Sequence, residues 1–273
     1  MVNAAYLSRK LPALGIEKGD VLFVHSAFSA VGGMKGGMDG FIDCLLEAIG
    51  PEGTLIFPTF TSYMQPFSRA ESASSTGILS ETFRKRPGAI RSAHPSHSVA
   101  AIGRQAAFFA GDEWILNTTC GDGTCYTRLA EHGAKVMMLG VDLNRCTLLH
   151  ACEDRADLDY LVPEVRVAAP QGQTGERIMR RFPPGHRAFI HLMEGLRSKP
   201  WFTVGYIGEA RTLVFPAGEM YDYCVDRLKG NPFLFLCENP SCNSCMLMRG
   251  RPVSEAICPD RHCEVCAFTK ELQ

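Results

Sequence analysis

The first half of the chain alternates strand and helix signals, and this alternation constrains the fold more than any other feature. A short apolar strand is predicted over 20–25, an amphipathic helix over 38–49 and a second strand over 54–57. Glycine and proline at 50–53 mark the turn between the helix and the second strand. Strands that alternate with helices pair in parallel, with helices covering the sheet. We therefore expect a layered α/β/α fold with a largely parallel central sheet.

The same rhythm continues downstream and predicts where a ligand binds. The further predicted elements are helices at 76–86 and 103–110 and strands at 98–102 and 135–141. Ligands of such folds bind in the crevice outside the carboxyl ends of the strands. His25, Pro58 and residues 142–150 follow predicted strand ends. We expect them to line one cleft.

Composition limits the classes of partner. The chain has 273 residues, of which 46% are hydrophobic and 21% charged, with a formal net charge of −1. General nucleic-acid binders carry a strong basic excess, so nucleic acid is not an expected partner. No apolar run approaches the roughly 20 residues that span a bilayer, and the N-terminus lacks a signal-peptide pattern. We expect a cytoplasmic protein with a small-molecule partner and no membrane contact.

A histidine and a glutamate follow the apolar strand at 135–141. On a helix, His150 and Glu153 would share a face because they are three positions apart. The carboxylate can then accept the proton of one imidazole nitrogen and leave the other nitrogen basic, as a general base requires. The alternative is that His150 packs inside or caps an ordinary helix.

Two further segments carry features suited to a phosphate-bearing cofactor. The loop at 25–37 is rich in small residues and leads into a helix, whose free N–H groups attract phosphate. It matches neither the Walker nor the dinucleotide-binding glycine pattern, so an ordinary surface loop is the alternative. The second segment, 84–104, carries several cations that would attract a phosphate. The alternative interpretation is an ordinary basic surface that faces solvent. Its cations are Arg84, Lys85, Arg86, Arg91 and Arg104.

Three motifs occur in order along the chain: Val24-His-Ser-Ala-Phe, the segment 76–103 with its Arg91-Ser-Ala-His-Pro-Ser-His-Ser run, and Thr147-Leu-Leu-His-Ala-Cys-Glu. Together they resemble the aminoglycoside 3-N-acetyltransferase family, over roughly residues 5–230. The resemblance implies transfer of an acetyl group from acetyl-coenzyme A (acetyl-CoA) to an amine of a small molecule. The acceptor would be an aminoglycoside or a related amino sugar or amine.

The family pattern also implies residue roles. His150 would be the general base and Glu153 its partner, in a direct transfer without a covalent acyl-enzyme. Cys146 and Cys152 flank His150, so a Cys–His nucleophile is the alternative. The loop and the family pattern together predict coenzyme-binding residues His25, Ser26, Ala27, Phe28, Gly32, Gly33, Lys35, Ser92, His97 and Ser98.

The segment 172–199 departs from the family pattern, because cations stand where an acidic acceptor-side insert is expected. They are Arg177, Arg180, Arg181, Arg187, Arg197 and Lys199, against Glu176 and Glu194. Such a cationic wall would repel a polycationic aminoglycoside. We therefore hypothesise a smaller or anionic amine as acceptor, the alternative being that these cations face solvent.

The resemblance fades near 236, and six of the twelve cysteines lie beyond it. The spacing Cys-x4-Cys-x2-Cys occurs twice, and its two Cys-x2-Cys pairs match a four-thiolate zinc site. The predicted zinc ligands are Cys242, Cys245, Cys263 and Cys266. The remaining groups, Cys237, Cys258 and His262, would surround the site or ligate an iron–sulfur cluster instead. Reduced thiols without a metal are a further alternative.

The sequence thus predicts an N-acetyltransferase-like domain at 1–236 and a small Cys-rich metal-binding extension at 237–273 that stabilises the protein or docks a partner. A competing function is that of a regulatory or interaction protein, in which the core only binds acyl-CoA and the tail is the working part. The presence of His150 and Glu153 favours the enzyme.

Overall fold

The computed structural model describes residues 1–61, 66–111, 116–168, 176–183 and 187–250. The helices are α1 (Ala4–Ala13), α2 (Gly37–Ile49), α3 (Ile78–Arg84), α4 (Ala106–Phe109), α5 (Cys125–Glu131), α6 (Leu148–Arg155), α7 (Met193–Leu196), α8 (Ala217–Gly230) and α9 (Asn243–Met248). The strands are β1 (Val21–Ser26), β2 (Thr54–Pro58), β3 (Ile90–Arg91), β4 (Val99–Gly103), β5 (Lys135–Leu139), β6 (Val162–Ala168), β7 (Glu176–Phe182), β8 (Thr203–Ile207) and β9 (Ala210–Pro216). Among the described residues, no helix combines the length and hydropathy needed to cross a membrane.

Seven strands form the central sheet, in the order β3-β4-β2-β1-β5-β9-β8. The centre, β2-β1-β5, is parallel. The outer strands pair antiparallel, so the sheet as a whole is mixed. Between β8 and β9 only two residues intervene, and a connection that short joins antiparallel strands. Strands β6 and β7 form a separate antiparallel hairpin.

The sheet has a hydrophobic core on each face. Successive side chains of a strand point to opposite faces. In β1, Leu22 and Val24 accordingly join the core that contains α1, α2 and α3. Val21 and Phe23 join the core that contains α4, α5, α6 and α8. The predicted layered α/β class is therefore confirmed, with helices on both sides of the sheet.

Strand direction decides which loops meet. The parallel strands β1, β2 and β5 all end at one edge of the sheet. Strand β4 runs the other way, with its first residue Val99 opposite Pro58 at the end of β2. The chain before β4, which carries His97, therefore arrives at the same edge. The antiparallel outer strand thus adds a side chain to the crevice that the parallel strands open.

The chain after α8 packs back onto this body. Phe235 belongs to the core beneath α6 and α8. A smaller apolar cluster follows, made of Ala188, Leu236, Cys237, Cys242, Cys245 and Met246. The described part of the tail is therefore in contact with the body from its first residue. The domain division at 236 stays a prediction.

Gly140, directly after β5, tests how tightly this edge of the sheet is packed. Its φ is +64°, and a Cβ there would lie 2.6 Å from Cβ of Ala30 and 3.0 Å from the carbonyl oxygen of Ala27. Gly133 has a φ of +65° with no described atom within 4 Å of such a Cβ, so it is a matched control. We expect Gly133→Ala to lower the free energy of unfolding by about 1 to 2 kcal/mol, the cost of a left-handed conformation.

Gly140→Ala should cost about 2 kcal/mol more than Gly133→Ala, because it adds overpacking to the same backbone strain. Urea unfolding followed by circular dichroism measures both. Equal losses in the two variants would contradict the close approach.

Candidate active site

A cleft of about 540 Å³ opens at the edge where β1, β2 and β5 end. Its walls come from the end of β1, the loops around β2 and α3, the segment before β4, and the turn leading into α6. The lining residues are His25, Ser26, Pro58, Phe60, Ser75, Thr76, Gly77, His97, Val141, Asn144, Arg145, Cys146, Thr147 and His150. The cleft therefore lies outside the carboxyl ends of the parallel strands, as predicted from the sequence.

Helix α6 holds the predicted histidine and glutamate in contact. Nδ1 of His150 lies 2.6 Å from Oε2 of Glu153. The His150 side chain is 19% exposed and borders the cleft, whereas Glu153 is completely buried. The ring of Phe189 packs edge-on against the imidazole, with 5.2 Å between centroids. The imidazole is thus held between a carboxylate and an aromatic ring, with one side on the cleft.

Two further groups fix the Glu153 carboxylate. Oε1 accepts a hydrogen bond from the Tyr160 hydroxyl at 2.7 Å and another from Nε of Arg187. Burial acts to raise the pKa of Glu153, but the charge of Arg187 and the hydrogen bond from His150 outweigh it and hold that pKa below its usual value. Glu153 is therefore ionised at neutral pH, and it accepts the Nδ1 proton of His150.

The place of Arg187 corrects the prediction that it belongs to a cationic wall facing the acceptor. Its side chain is 2% exposed and points inward to Glu153. The guanidinium also lies 5.1 Å from the centroid of the Tyr160 ring. Composition along 172–199 does not reveal this contact, because the partner carboxylate lies on α6.

The other described members of the predicted wall also lie away from the cleft lining. Arg180 lies 3.7 Å from Glu164 on the β6–β7 hairpin. Lys199 lies over the ring of Tyr223, and Arg197 is exposed. The side chains of Arg177 and Arg181 lie outside the described part of the structure.

Two more histidines line the cleft, and burial keeps both neutral. Nε2 of His25 accepts the backbone N–H of Thr147 at 3.4 Å, and burial lowers the pKa of His25 to about 3. Nδ1 of His97 lies 2.9 Å from the Ser96 hydroxyl. Burial, reinforced by the charges of nearby histidines, holds the pKa of His97 well below its usual value. Such imidazoles are weak bases at neutral pH.

The two cysteines beside His150 are protonated thiols. Burial raises the pKa of Cys146 to about 12 and that of Cys152 well above its usual value. Sγ of Cys152 donates to the carbonyl oxygen of Leu148 within α6. The thiolate is the nucleophilic form of cysteine, so neither residue is prepared for attack. The geometry gives the Cys–His alternative no support.

Ser26 is the member of the predicted coenzyme loop that is best placed for a ligand. It ends β1 on the cleft wall, and its Oγ is buried with no hydrogen-bond partner among the described residues. Buried hydroxyl groups nearly always have a partner. The coenzyme contact of Ser26 stays a prediction.

The rest of that loop lies beside the cleft and contacts the chain itself. The N–H of Ala27 donates to the carbonyl of Leu139, and Phe28 packs against Phe41. Gly32 has a φ of +78°, a left-handed conformation that favours glycine. The backbones of Gly33 and Lys35 pair with Val2. Their coenzyme contacts stay predictions.

Ser92 and Ser98 lie in a buried network behind the cleft. Oγ of Ser92 accepts the N–H of Val99 at 3.1 Å, and Oγ of Ser98 donates to the carbonyl of Thr59 at 2.6 Å. Arg91 donates to the same carbonyl at 2.6 Å. This network holds the loop between Ser92 and Ser98, and His97 in that loop reaches the cleft.

Carboxylates offset the predicted positive field of the basic segment. Arg84 and Lys85 both pair with Glu81. Arg86 pairs with Asp39 and Asp43, and Arg104 pairs with Glu52. Four of the five predicted cations therefore have a carboxylate partner, and the fifth, Arg91, is buried and donates to backbone carbonyl groups.

Two of the four predicted zinc ligands are described, and a third cysteine joins them. The sulfur atoms of Cys237, Cys242 and Cys245 all lie within 4.8 Å of one another. The sequence interpretation had placed Cys237 outside the ligand set. Cys263 and Cys266 lie outside the described residues.

Sequence reasoning missed several residues of the site. Tyr160 and Arg187 contact the Glu153 carboxylate. No local sequence signal predicts these contacts, because the hydroxyl and the guanidinium reach the carboxylate only after folding. Phe60 and Thr76 also line the cleft. Their positions just after β2 and before α3 were the available signal.

Comparison with known proteins shows the family of the chain. Residues 23–229 match the family model described as aminoglycoside 3-N-acetyltransferase. Aminoglycoside N(3)-acetyltransferase VII of Streptomyces paromomycinus is 30% identical to this chain, over 82% of it and 90% of that protein.

Two solved structures are similar over most of both chains. AAC(3)-IVa, crystallised as a histidine-to-alanine variant with a gentamicin, is 28% identical, with a TM-score of 0.84 over 92% of this chain and 98% of that one. AAC-IIIb in a binary complex with CoASH is 27% identical, with a TM-score of 0.76 over 84% of this chain and 97% of that one. The chain therefore belongs to the aminoglycoside 3-N-acetyltransferase family and is an acyltransferase.

Proposed function

We propose that the chain transfers the acetyl group of acetyl-CoA to an amine of an aminoglycoside or a related amino sugar, with His150 as the general base. The 2.6 Å contact between Nδ1 of His150 and the buried carboxylate of Glu153, at the wall of the cleft, carries this proposal. Support also comes from a relative named for this activity and from similar structures that hold CoASH or a gentamicin.

The contacts around His150 indicate the route of the proton that the acceptor loses. Because Glu153 is ionised, it holds the imidazole proton on Nδ1 and leaves the lone pair on Nε2. The acceptor ammonium loses a proton to Nε2, and the resulting amine attacks the thioester carbonyl. The C–N bond forms, the C–S bond breaks, and the coenzyme leaves as its thiolate, which takes the proton held on Nε2. The acylated nitrogen releases its extra proton to solvent, so the product is a neutral amide. Tyr160 and Arg187 keep the carboxylate in place throughout.

Direct transfer suits the other groups in the cleft. The two neighbouring histidines are neutral and weakly basic, and the two cysteines are protonated. The Ser26 hydroxyl is suited to donate to the thioester carbonyl oxygen as negative charge develops there. Each step then uses a group whose protonation state matches its role.

The family relationship carries the choice of acceptor class. The hypothesis of an anionic acceptor depended on a wall of cations, and its four described members do not line the cleft. The inward-pointing Arg187 is neutralised by Glu153. Repulsion of a polycationic acceptor therefore has no support from these residues, and the family relationship favours aminoglycosides.

Replacing the proposed base tests the mechanism. We expect His150→Ala to lower kcat by about 10²- to 10⁴-fold, the usual contribution of general base catalysis. Release of the coenzyme thiol measures the rate. His132→Ala, at an exposed histidine after α5, is the matched control and should keep the wild-type rate. Undiminished transfer by His150→Ala would contradict the role of His150 as general base, whereas a wild-type chain that binds acyl-CoA without transferring the acyl group would favour the competing regulatory function.

A double-mutant cycle separates the roles of the buried ion pair. Glu153→Gln leaves the Arg187 charge buried without its counter-ion, which should cost about 3 to 5 kcal/mol of unfolding free energy. Adding Arg187→Met removes that charge and should recover most of the stability, but kcat should stay at least about a hundredfold below wild type in both variants. Glu131→Gln, at the exposed end of α5, is the control.

The stability deficit of Glu153→Gln should also depend on pH. The pKa of Glu153 lies below its usual 4.5 in the folded state, so its ionised form stabilises the protein above that pH. As pH falls through the lowered pKa, the wild-type carboxylate also becomes neutral and the deficit shrinks. A deficit that grows with acidification, or a double variant that regains activity, would contradict these roles.

A panel of acceptors tests the substrate class. We expect kcat/KM for gentamicin to exceed that for an amino sugar phosphate or an acidic amino acid by at least about tenfold, equivalent to 1.4 kcal/mol. The thiol-release assay measures all three acceptors with one enzyme preparation. Turnover confined to the anionic amines would instead support the hypothesis drawn from the arginines of 172–199.

A further inference from the structure

Three cysteines converge beside the body of the protein, away from the cleft. Cys237 follows the segment after α8, whereas Cys242 and Cys245 stand at the start of α9. Their sulfur atoms all lie within 4.8 Å of one another, and all three residues are buried. None of them is part of a disulfide bond.

This arrangement fits a thiolate metal site. Zinc binds thiolate sulfur at about 2.3 Å in a tetrahedron, which places sulfur atoms about 3.8 Å apart. The three sulfur atoms lie no more than 4.8 Å apart, which is close to that separation. The two residues between Cys242 and Cys245 are the spacing of a zinc knuckle. Thiolates select zinc over the hard cations magnesium and calcium.

We propose that Cys237, Cys242 and Cys245 bind a zinc ion that fixes the segment carrying Arg187. The ligand set predicted from spacing alone is thereby revised, because Cys237 joins Cys242 and Cys245 as a direct ligand. These residues supply three of the four positions of the tetrahedron. The cluster lies outside the cleft lining, so its role is structural.

Direct contacts link this site to the segment that carries Arg187. Ala188 belongs to the same apolar cluster as the three cysteines, and its N–H donates to the carbonyl of Phe235 at 2.8 Å. At the end of α9, Sδ of Met248 accepts a hydrogen bond from Nη1 of Arg187 at 3.2 Å. The next residue, Arg249, donates to the carbonyl groups of Leu236 and Cys237.

A zinc ion that holds α9 against the chain before it therefore also holds the partners of Arg187. Since Arg187 orients Glu153, zinc would keep the Glu153 carboxylate in position from a distance. Arg187 is accordingly a positioning residue. This consequence rests on the proposed function, whereas zinc binding itself does not.

Metal analysis of the full-length chain tests the site directly. Protein purified without chelator should be colourless and should contain one zinc ion per chain by mass spectrometry. The variants Cys237→Ser, Cys242→Ser and Cys245→Ser should each lose at least about tenfold in zinc affinity, measured by competition with a chromophoric chelator. Cys44→Ser, at a buried cysteine on α2, is the matched control and should keep its zinc.

Chelation and reloading of the wild-type chain avoid variants that fail to fold. Removing zinc should lower the thermal midpoint and reduce kcat at least about tenfold with an unchanged KM for acetyl-CoA, and added zinc should restore both. A chain that neither contains nor takes up zinc while its thiols react freely would overturn the proposal. So would a brown iron-containing protein, or Cys237→Ser with full zinc affinity. Zinc content is read independently of acetyl transfer, so failure of the proposed function leaves this result distinct.

Discussion

The buried carboxylate of Glu153 is the group on which the site depends. It accepts hydrogen bonds from His150, Tyr160 and Arg187, which come from α6, the turn after it and the segment before α7. An ionised carboxylate without such partners would be too costly to keep away from water. The three donors therefore make the charge tolerable, and the charge in turn sets the tautomer of the imidazole. Stability and chemistry meet in one side chain.

The sheet was predictable to the extent that its signals are local. β1, α2 and β2 lie within a residue of their predicted bounds, because apolar periodicity and turn residues act over a few positions. The antiparallel outer strands were not predicted, since strand direction depends on connections and pairing across the whole chain. For the same reason the β8–β9 and β6–β7 hairpins were missed. The two-residue turn Gly208-Glu209 is nevertheless a local hairpin signal, because glycine is favoured at the first position of such turns.

The site divides along the same line. The contact between His150 and Glu153 was predictable because three positions on a helix fix the distance. The inward turn of Arg187 was not, because its partner lies 34 positions away. Ser92 and Ser98 show a different difficulty: a hydroxyl that binds a ligand and one that binds a backbone carbonyl or amide look alike in sequence. The position of Cys237 in the thiol cluster was not predictable from spacing, because it depends on how the chain folds back after α8.

The three imidazoles around the cleft have a consequence for selectivity. Burial lowers the pKa of His25 and His97, whereas His150 is the imidazole paired with a carboxylate among the described residues that line the cleft. In the proposed mechanism, an acceptor with several ammonium groups therefore loses its proton to His150. The binding orientation of the acceptor, rather than the relative basicity of its nitrogens in water, then decides which nitrogen reacts.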